Sequence, residues 1–174
     1  APILNMANTP IESIESEQPL MVERYGFVPD TGGAGKYRGG LGIEREFRLL
    51  AEDATFQLRS DRSDFTPWGV QGGKPGTPTE NYLNPGTDRE EKLPGKTLRQ
   101  LKKGDLYRVV QAGAGGYGDP LERDMYAVAD DVEQEKLSAE YVRREYGVVV
   151  DPKTSALDVS GTEKLRAEMA AVNN

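Results

Sequence analysis

The chain has 174 residues, with 22 Lys and Arg against 29 Asp and Glu, and it contains neither histidine nor cysteine. A formal net charge of −7 works against a sequence-independent grip on nucleic acid and against binding to anionic membrane surfaces. The missing His and Cys exclude disulfides, thiolate or imidazole zinc sites, a Ser-His-Asp relay and a cysteine nucleophile within this chain. Any metal held here would need oxygen ligands alone.

The length fits one ordinary domain with room for a core. Only 36% of residues are hydrophobic, and 20 Gly with 11 Pro make the chain loop-rich, so part of its stability is expected from partner surfaces. No apolar run reaches transmembrane length and no signal-peptide pattern opens the chain, which gives a cytoplasmic expectation.

The opening Ala1-Pro2-Ile3-Leu4-Asn5-Met6 carries no cap or strand signal, and its lack of an initiator Met fits both routine processing and an internal cut. Asn8-Thr9-Pro10 is a turn signal, followed at 11–15 by a short helical or extended connection. Residues 20–28 are rich in β-branched and aromatic residues and form a first predicted strand. Residues 29–42 then hold six glycines, which require positive φ or close backbone approach. Ile43, Arg45, Phe47 and Leu49 alternate with Glu44, Glu46 and Arg48; Ala54, Phe56 and Leu58 alternate with Thr55, Gln57 and Arg59. This period of two predicts half-buried strands, and the short Ala51-Glu52-Asp53 link predicts that they form an antiparallel hairpin. From 60 to 92 the periodicity fails, leaving a long functional or interfacial loop that contains Trp68. Two short strands follow at 98–101 and 106–111, around Lys102-Lys103-Gly104-Asp105.

A second glycine loop, 113–118, closes the strand-rich part. Asp119 before Pro120 is an N-cap with proline at the first helical position, and Leu121, Met125, Val128, Ala129 and Val132 follow at helical spacing. Ser138 caps a second helix, with Leu137 placed to staple against Val142, and Gly147 stops it. Val148-Val149-Val150 is extended, and Ser160 with Glu163 opens a last helix. The predicted class is α+β: an antiparallel β-rich body with its glycine loops over 1–118, then a helical tail over 119–174.

Four groups of residues invite functional readings. Gly35-Lys36 resembles the end of a phosphate loop, yet Asp30 stands where its first Gly belongs and Tyr37 where the Mg²⁺-holding hydroxyl belongs. Gly113, Gly115 and Gly118 match G-x-G-x-x-G, but Asp119 places a carboxylate where pyrophosphate would sit, and no βαβ alternation follows. Asp61 and Asp64, with Ser60 and Ser63, could offer oxygen ligands to a hard cation; Arg59 and Arg62 more readily neutralise them. The acidic run Asp130, Asp131, Glu133 and Glu135 reads as a solvated helix face, and Trp68 as a packing anchor with an interface role as runner-up.

Asn8-Thr9-Pro10-Ile11-Glu12, Val22-Glu23-Arg24-Tyr25, the glycine run 32–42, Ser60-Asp61-Arg62, Pro67-Trp68-Gly69, residues 72–76, Leu83-Asn84-Pro85-Gly86, residues 115–124 and Tyr146-Gly147-Val148-Val149 occur together in one order. In that set the chain closely resembles the C-terminal part of the hydantoinase B/oxoprolinase family. The resemblance implies a C-terminal fragment of a B-type subunit, or a separately encoded small subunit completing it, working with a hydantoinase A-type, ATP-binding subunit. It further implies that ATP activates a carbonyl or enol oxygen for hydrolysis of a cyclic amide or for carboxylation of a ketone, as in acetone and acetophenone carboxylases. The family's Asp/His metal cluster belongs to its N-terminal part, and this chain has no His. No catalytic, cofactor-binding or metal-binding residue is therefore assigned to any position, and ATP and a divalent metal are expected on the rest of the complex. The isolated chain is expected to be inactive, and a purely structural assembly role is the reading from a different class.

Overall fold

The structure, a computed structural model, describes residues 8–172; the signal-free opening hexapeptide lies outside them. In chain order the elements are α1 (Ile11–Glu17), β1 (Leu20–Val28), β2 (Gly42–Leu49), β3 (Asp53–Arg59), β4 (Glu80–Leu83), β5 (Glu91–Lys92), β6 (Lys96–Lys102) and β7 (Leu106–Val110). A 3-10 turn at Pro120–Glu122 leads into α2 (Met125–Glu133) and α3 (Ala139–Tyr146), then β8 (Val149–Val150), β9 (Leu157–Asp158) and α4 (Val159–Val172). This is the expected α+β layout, β-rich first and helical last.

The alternating segments do form strands, but not the hairpin expected of them. β2 belongs to a five-stranded sheet of order β1-β2-β7-β4-β5, whereas β3 pairs only with β6 in a two-stranded antiparallel ribbon, Asp53 opposite Lys102 through Arg59 opposite Lys96. The reason lies at the corner between them. The Leu49 N–H donates to the Asp105 carbonyl (3.0 Å), Gly104 N–H to Leu49 O (2.8 Å) and Lys103 N–H to Glu52 O (3.1 Å). The link after β2 and the link before β7 are thus bonded to each other, so two long chains bend together and change sheets at one place. The residues expected to close a hairpin build that bend instead. Gly104, at φ +88°, supplies the left-handed conformation it needs. The same geometry separates β6 from β7, which follow one another in sequence without pairing.

Residues 60–92 are not wholly irregular, because β4 and β5 lie inside them. β4 escapes a periodicity search because its buried residue is polar. Asn81 is 1% exposed; it accepts a hydrogen bond from Tyr107 Oη through Oδ1 (2.8 Å), and its carbonyl accepts from Leu93 N–H (2.8 Å).

The chain divides into two compact units, each built from separate segments. The first takes the segment ending at Tyr25 together with Arg45–Arg59 and Asn81–Val109; the second takes Gly26–Glu44, Ser60–Glu80 and the chain from Val110 onward. In the first, Leu49, Leu58, Leu93 and Leu101 are buried. In the second, Ala34, Val128, Leu137, Val142, Tyr146, Val148 and Val150 form one buried cluster.

Local capping explains the helical segments. Asp119 accepts from Leu121 N–H and holds only a single 3-10 turn, after which Asp124 recaps the chain by accepting from Tyr126 and Ala127 N–H. The helix expected to run on from Pro120 is therefore two pieces. A cap residue inside a helical pattern competes with the helix for its own backbone, and here it restarts it. Ser138 caps α3 through Tyr141 N–H, and Gly147 ends it at φ +61°, both as expected. The last helix begins slightly earlier than expected: Asp158 Oδ1 accepts from Gly161 N–H (2.9 Å), so Asp158 rather than Ser160 occupies the cap position.

Candidate functional site

Within the second unit, the glycine stretches at 29–42, 67–76 and 113–118 interleave backbone to backbone. Gly33 N–H donates to Ala114 O (2.8 Å), Lys74 N–H to Ala34 O (2.7 Å), Gly116 N–H to Lys74 O (2.9 Å) and Ala114 N–H to Gly40 O (2.9 Å). Close approach, not unusual torsion, selects glycine at most of these positions. A Cβ on Gly113 would overlap the Thr31 carbonyl, one on Gly73 the Gly116 carbonyl, and one on Gly116 the Ala34 carbonyl. Peptide groups fill the space that side chains fill elsewhere.

The sequence-level nucleotide candidates are occupied by structural duties. Asp30 sits at φ +62°, and its Oδ1 accepts from Ser138 N–H (2.7 Å), tying the first glycine loop to the start of α3. Tyr141 Oη reinforces that tie by donating to Gly32 O (2.9 Å), and burial raises its phenol well above the ordinary range, which keeps it a donor. Lys36 Nζ lies 3.0 Å from Glu122 Oε2, with its ammonium held above the ordinary lysine range by that hydrogen bond. Gly113, Gly115 and Gly118 lead into a three-residue 3-10 turn, not into a helix able to present an anion site. Asp30 and Lys36 are thus both engaged within the fold. Among the described residues, no group of three or more Asp and Glu gathers in a metal-binding arrangement, Asp61 and Asp64 included.

Two readings are corrected. Asp131 is not on a solvated face: it is 4% exposed, and its carboxylate receives Arg38 Nε (3.1 Å), Arg38 Nη2 (3.2 Å) and Arg123 Nη2 (2.9 Å). The signal was present in the sequence, since Asp131 lies three residues after the fully buried Val128 and so shares its helix face. Two guanidiniums on one buried carboxylate join the first glycine loop, through Arg38, to the 3-10 turn and α2. Trp68 is not a packing anchor: it is 72% exposed, with the Arg62 guanidinium 5.8 Å above its ring. The surrounding loop closes through backbone bonds such as Gly76 N–H to Pro67 O (2.9 Å), and the indole is left outside.

The first unit carries a separate groove of 420 Å³, lined by Pro19, Leu20, Phe47, Leu49, Phe56 and Tyr107 among others. Its ionisable members are already committed. Tyr107, its phenol pushed up to about 12 by burial, donates to Asn81. Asp105 accepts from Asn84 Nδ2 (3.1 Å), Arg89 Nη1 (2.9 Å) and Lys102 N–H (2.8 Å). The groove offers apolar burial and no free acid, base or nucleophile.

A bent antiparallel ribbon, laced glycine loops and a helical end make up the described chain. Comparison with known proteins places this architecture in a family. The hydantoinase B/oxoprolinase family profile matches residues 1–120, and the chain belongs to this family. The putative B subunit of a D-/L-hydantoinase from a Pseudomonas species (strain NS671) is 35% identical over 93% of this chain and 27% of its own length. The crystal structure of the ATP-dependent caprolactamase from Pseudomonas jessenii superposes with a TM-score of 0.76 at 31% identity, over 91% of this chain and 28% of that one. The nucleotide-free structure of an acetone carboxylase shares the fold, with a TM-score of 0.80 at 24% identity over 95% of this chain and 26% of that one. The chain thus spans about a quarter of the length of these relatives.

Proposed function

We propose that this chain is the C-terminal portion of a B-type subunit in a cytoplasmic, ATP-dependent amidohydrolase complex that opens cyclic amides of the hydantoin or 5-oxoproline type. One observation carries the reading: the match to an ATP-dependent caprolactamase at 31% identity over 91% of the chain, within the hydantoinase B/oxoprolinase family. A cyclic amide is resonance-stabilised and resists water, so transfer of phosphate to its oxygen makes the carbonyl carbon open to attack. That chemistry needs a nucleotide site and a metal, which this reading assigns to the rest of the B-type subunit and to an A-type partner. The role of this chain is to complete and stabilise the subunit.

The test is reconstitution. Combined with the remainder of the B-type subunit and the A-type subunit, the chain is expected to support ATP-dependent ring opening of a hydantoin or 5-oxoproline. Alone, it is expected to show neither ATPase nor amidase activity, and turnover by the isolated chain would overturn the reading. Because the fold is shared with an acetone carboxylase, bicarbonate-dependent consumption of a ketone, with no amide opened, would move the assignment to the carboxylase branch.

A further inference from the structure

The interleaved glycine loops create a small three-stranded patch with a distinct outer row. Tyr37 pairs with Tyr117 in an antiparallel bridge, each N–H donating to the other's carbonyl (3.0 and 2.9 Å). Val70 pairs with Tyr117 in a parallel bridge, through Val70 N–H to Gly116 O and Gly118 N–H to Val70 O (both 2.9 Å). Bridged residues direct their side chains to the same face, so Tyr37, Tyr117 and Val70 form one row, the two rings 6.2 Å apart. All three are open to solvent, at 63%, 52% and 48%. Trp68, two residues before Val70, is exposed as well. The neighbours of the row are committed elsewhere: Lys36 to Glu122, Arg38 to the buried Asp131, while Gly116 and Gly118 have no side chain. The patch is thus a rigid backbone platform that displays aromatic and aliphatic groups on its free side.

We infer that the row Tyr37–Tyr117–Val70, with Trp68 beside it, is the seat for the remainder of the B-type polypeptide. The inference rests on the proposed function and deepens it by naming the partner and the surface. Contiguous exposed aromatics on a platform held by backbone bonds mark an interaction site, and Tyr, Trp and Arg are the residues that dominate interface energetics. The choice of occupant follows from length and from chemistry. The relatives carry nearly three-quarters of their length outside the region matched here. A permanently covered junction is also more apolar than a surface that must stay soluble between encounters, and none of the four side chains in this patch carries a charge.

The experiment uses the assembled complex of this chain, the remainder of the B-type subunit and the A-type subunit. With the photo-crosslinker p-benzoylphenylalanine in place of Tyr117, irradiation is expected to join the chain to the remainder of the B-type subunit. The same group in place of Tyr126, an exposed residue of α2, is expected to join it much less. Crosslinking from position 117 to the A-type subunit or to a second copy of this chain would overturn the inference. In parallel, the double variant Tyr37→Ser/Tyr117→Ser should weaken co-elution with the remainder by about tenfold or more, with an unchanged circular dichroism spectrum showing that the fold is intact. Wild-type-like co-elution and ring opening by a folded double variant would overturn the interface alone. Failure of the wild-type chain to associate at all would overturn both the interface and the proposed function.

Discussion

The two units of this chain solve the packing problem in opposite ways. In the strand unit the interior is made of side chains: Leu49, Leu58 and Leu101 are buried on strands, two of which, β3 and β6, alternate residue by residue, and Leu93 is buried just after β5. In the glycine unit, peptide groups of three loops occupy the same kind of space, and the apolar side chains are moved to the helices or turned outward. Burying backbone requires every N–H and C=O to find a partner, which the loops achieve by bonding to one another. The consequence is a difference in tolerance. A side-chain core can lose a methylene and relax, whereas a backbone core has no room to gain one.

The sharpest way to break that contrast is to add a single carbon. Gly113→Ala should cost about 4 kcal/mol or more, because its Cβ would overlap the Thr31 carbonyl and neither backbone can move alone. Gly40→Ala, whose Cβ would meet only the Ala114 methyl at 4.0 Å, should be close to neutral. Urea midpoints for the pair measure it, and equal midpoints would mean the loops are softer than their bonding indicates. Next in size is Asp131→Ala, expected to cost about 3 kcal/mol by leaving Arg38 and Arg123 facing each other in a buried site. Asp131→Asn should recover part of that loss by keeping a hydrogen-bond acceptor, and the same denaturation series shows whether it does.

In the strand unit, Leu101→Ala should cost about 2–3 kcal/mol by opening a cavity at a residue that is 6% exposed. Its loss should respond to repacking, with Leu101→Met milder, whereas no substitution rescues Gly113. The smallest effect is electrostatic. Burial alone would raise the Asp105 carboxyl, but the Lys102 N–H, Asn84 and Arg89 outweigh it and hold the group below its ordinary 3.8. A depressed carboxyl contributes stability in full above its unfolded value, and that stability is lost as pH falls through the folded value. Asp105→Asn should therefore lower stability at neutral pH and flatten its decline below about pH 4. Thermal melts from about pH 6 down to about pH 3 test this; an unchanged acid limb would show that the bend between the sheets does not depend on this charge.

What was legible in the sequence followed from local physics. Alternation at 43–49 and 54–58 announced strands because a half-buried strand repeats every two residues. Ser138 and Gly147 announced the ends of α3 because a cap or a left-handed stop is satisfied within one turn. The close backbone approach that so many glycines in 29–42 announced is realised where Gly33 bonds to Ala114 and Tyr37 pairs with Tyr117. The errors came where a partner is distant. Glu91 and Lys92 in β5 and the polar Asn81 in β4 have no period to detect; Asp131 looked like one more surface acid until Arg38, 93 residues away, was beside it. Trp68 looked like an anchor because a large ring usually is one, and here backbone bonds had already closed its loop.

The sequence by itself determined the family, the α+β order, the ends of α3 and the exclusion of His- and Cys-based chemistry, because each depends on residue identity or on neighbours within a turn. Only the tertiary structure decided that β2 and β3 bend away from each other into different sheets, and that most glycines of the interleaved loops are selected by mutual contact while Gly104 and Gly147 are selected by torsion. It also decided that Asp131 is buried between two arginines while Tyr37, Tyr117 and Val70 face outward. Those outcomes depend on which distant segments meet, and hydrogen-bond partners such as Arg38 and Asp131, 93 residues apart, or Asp30 and Ser138, 108 apart, leave no local mark on the residues that will use them.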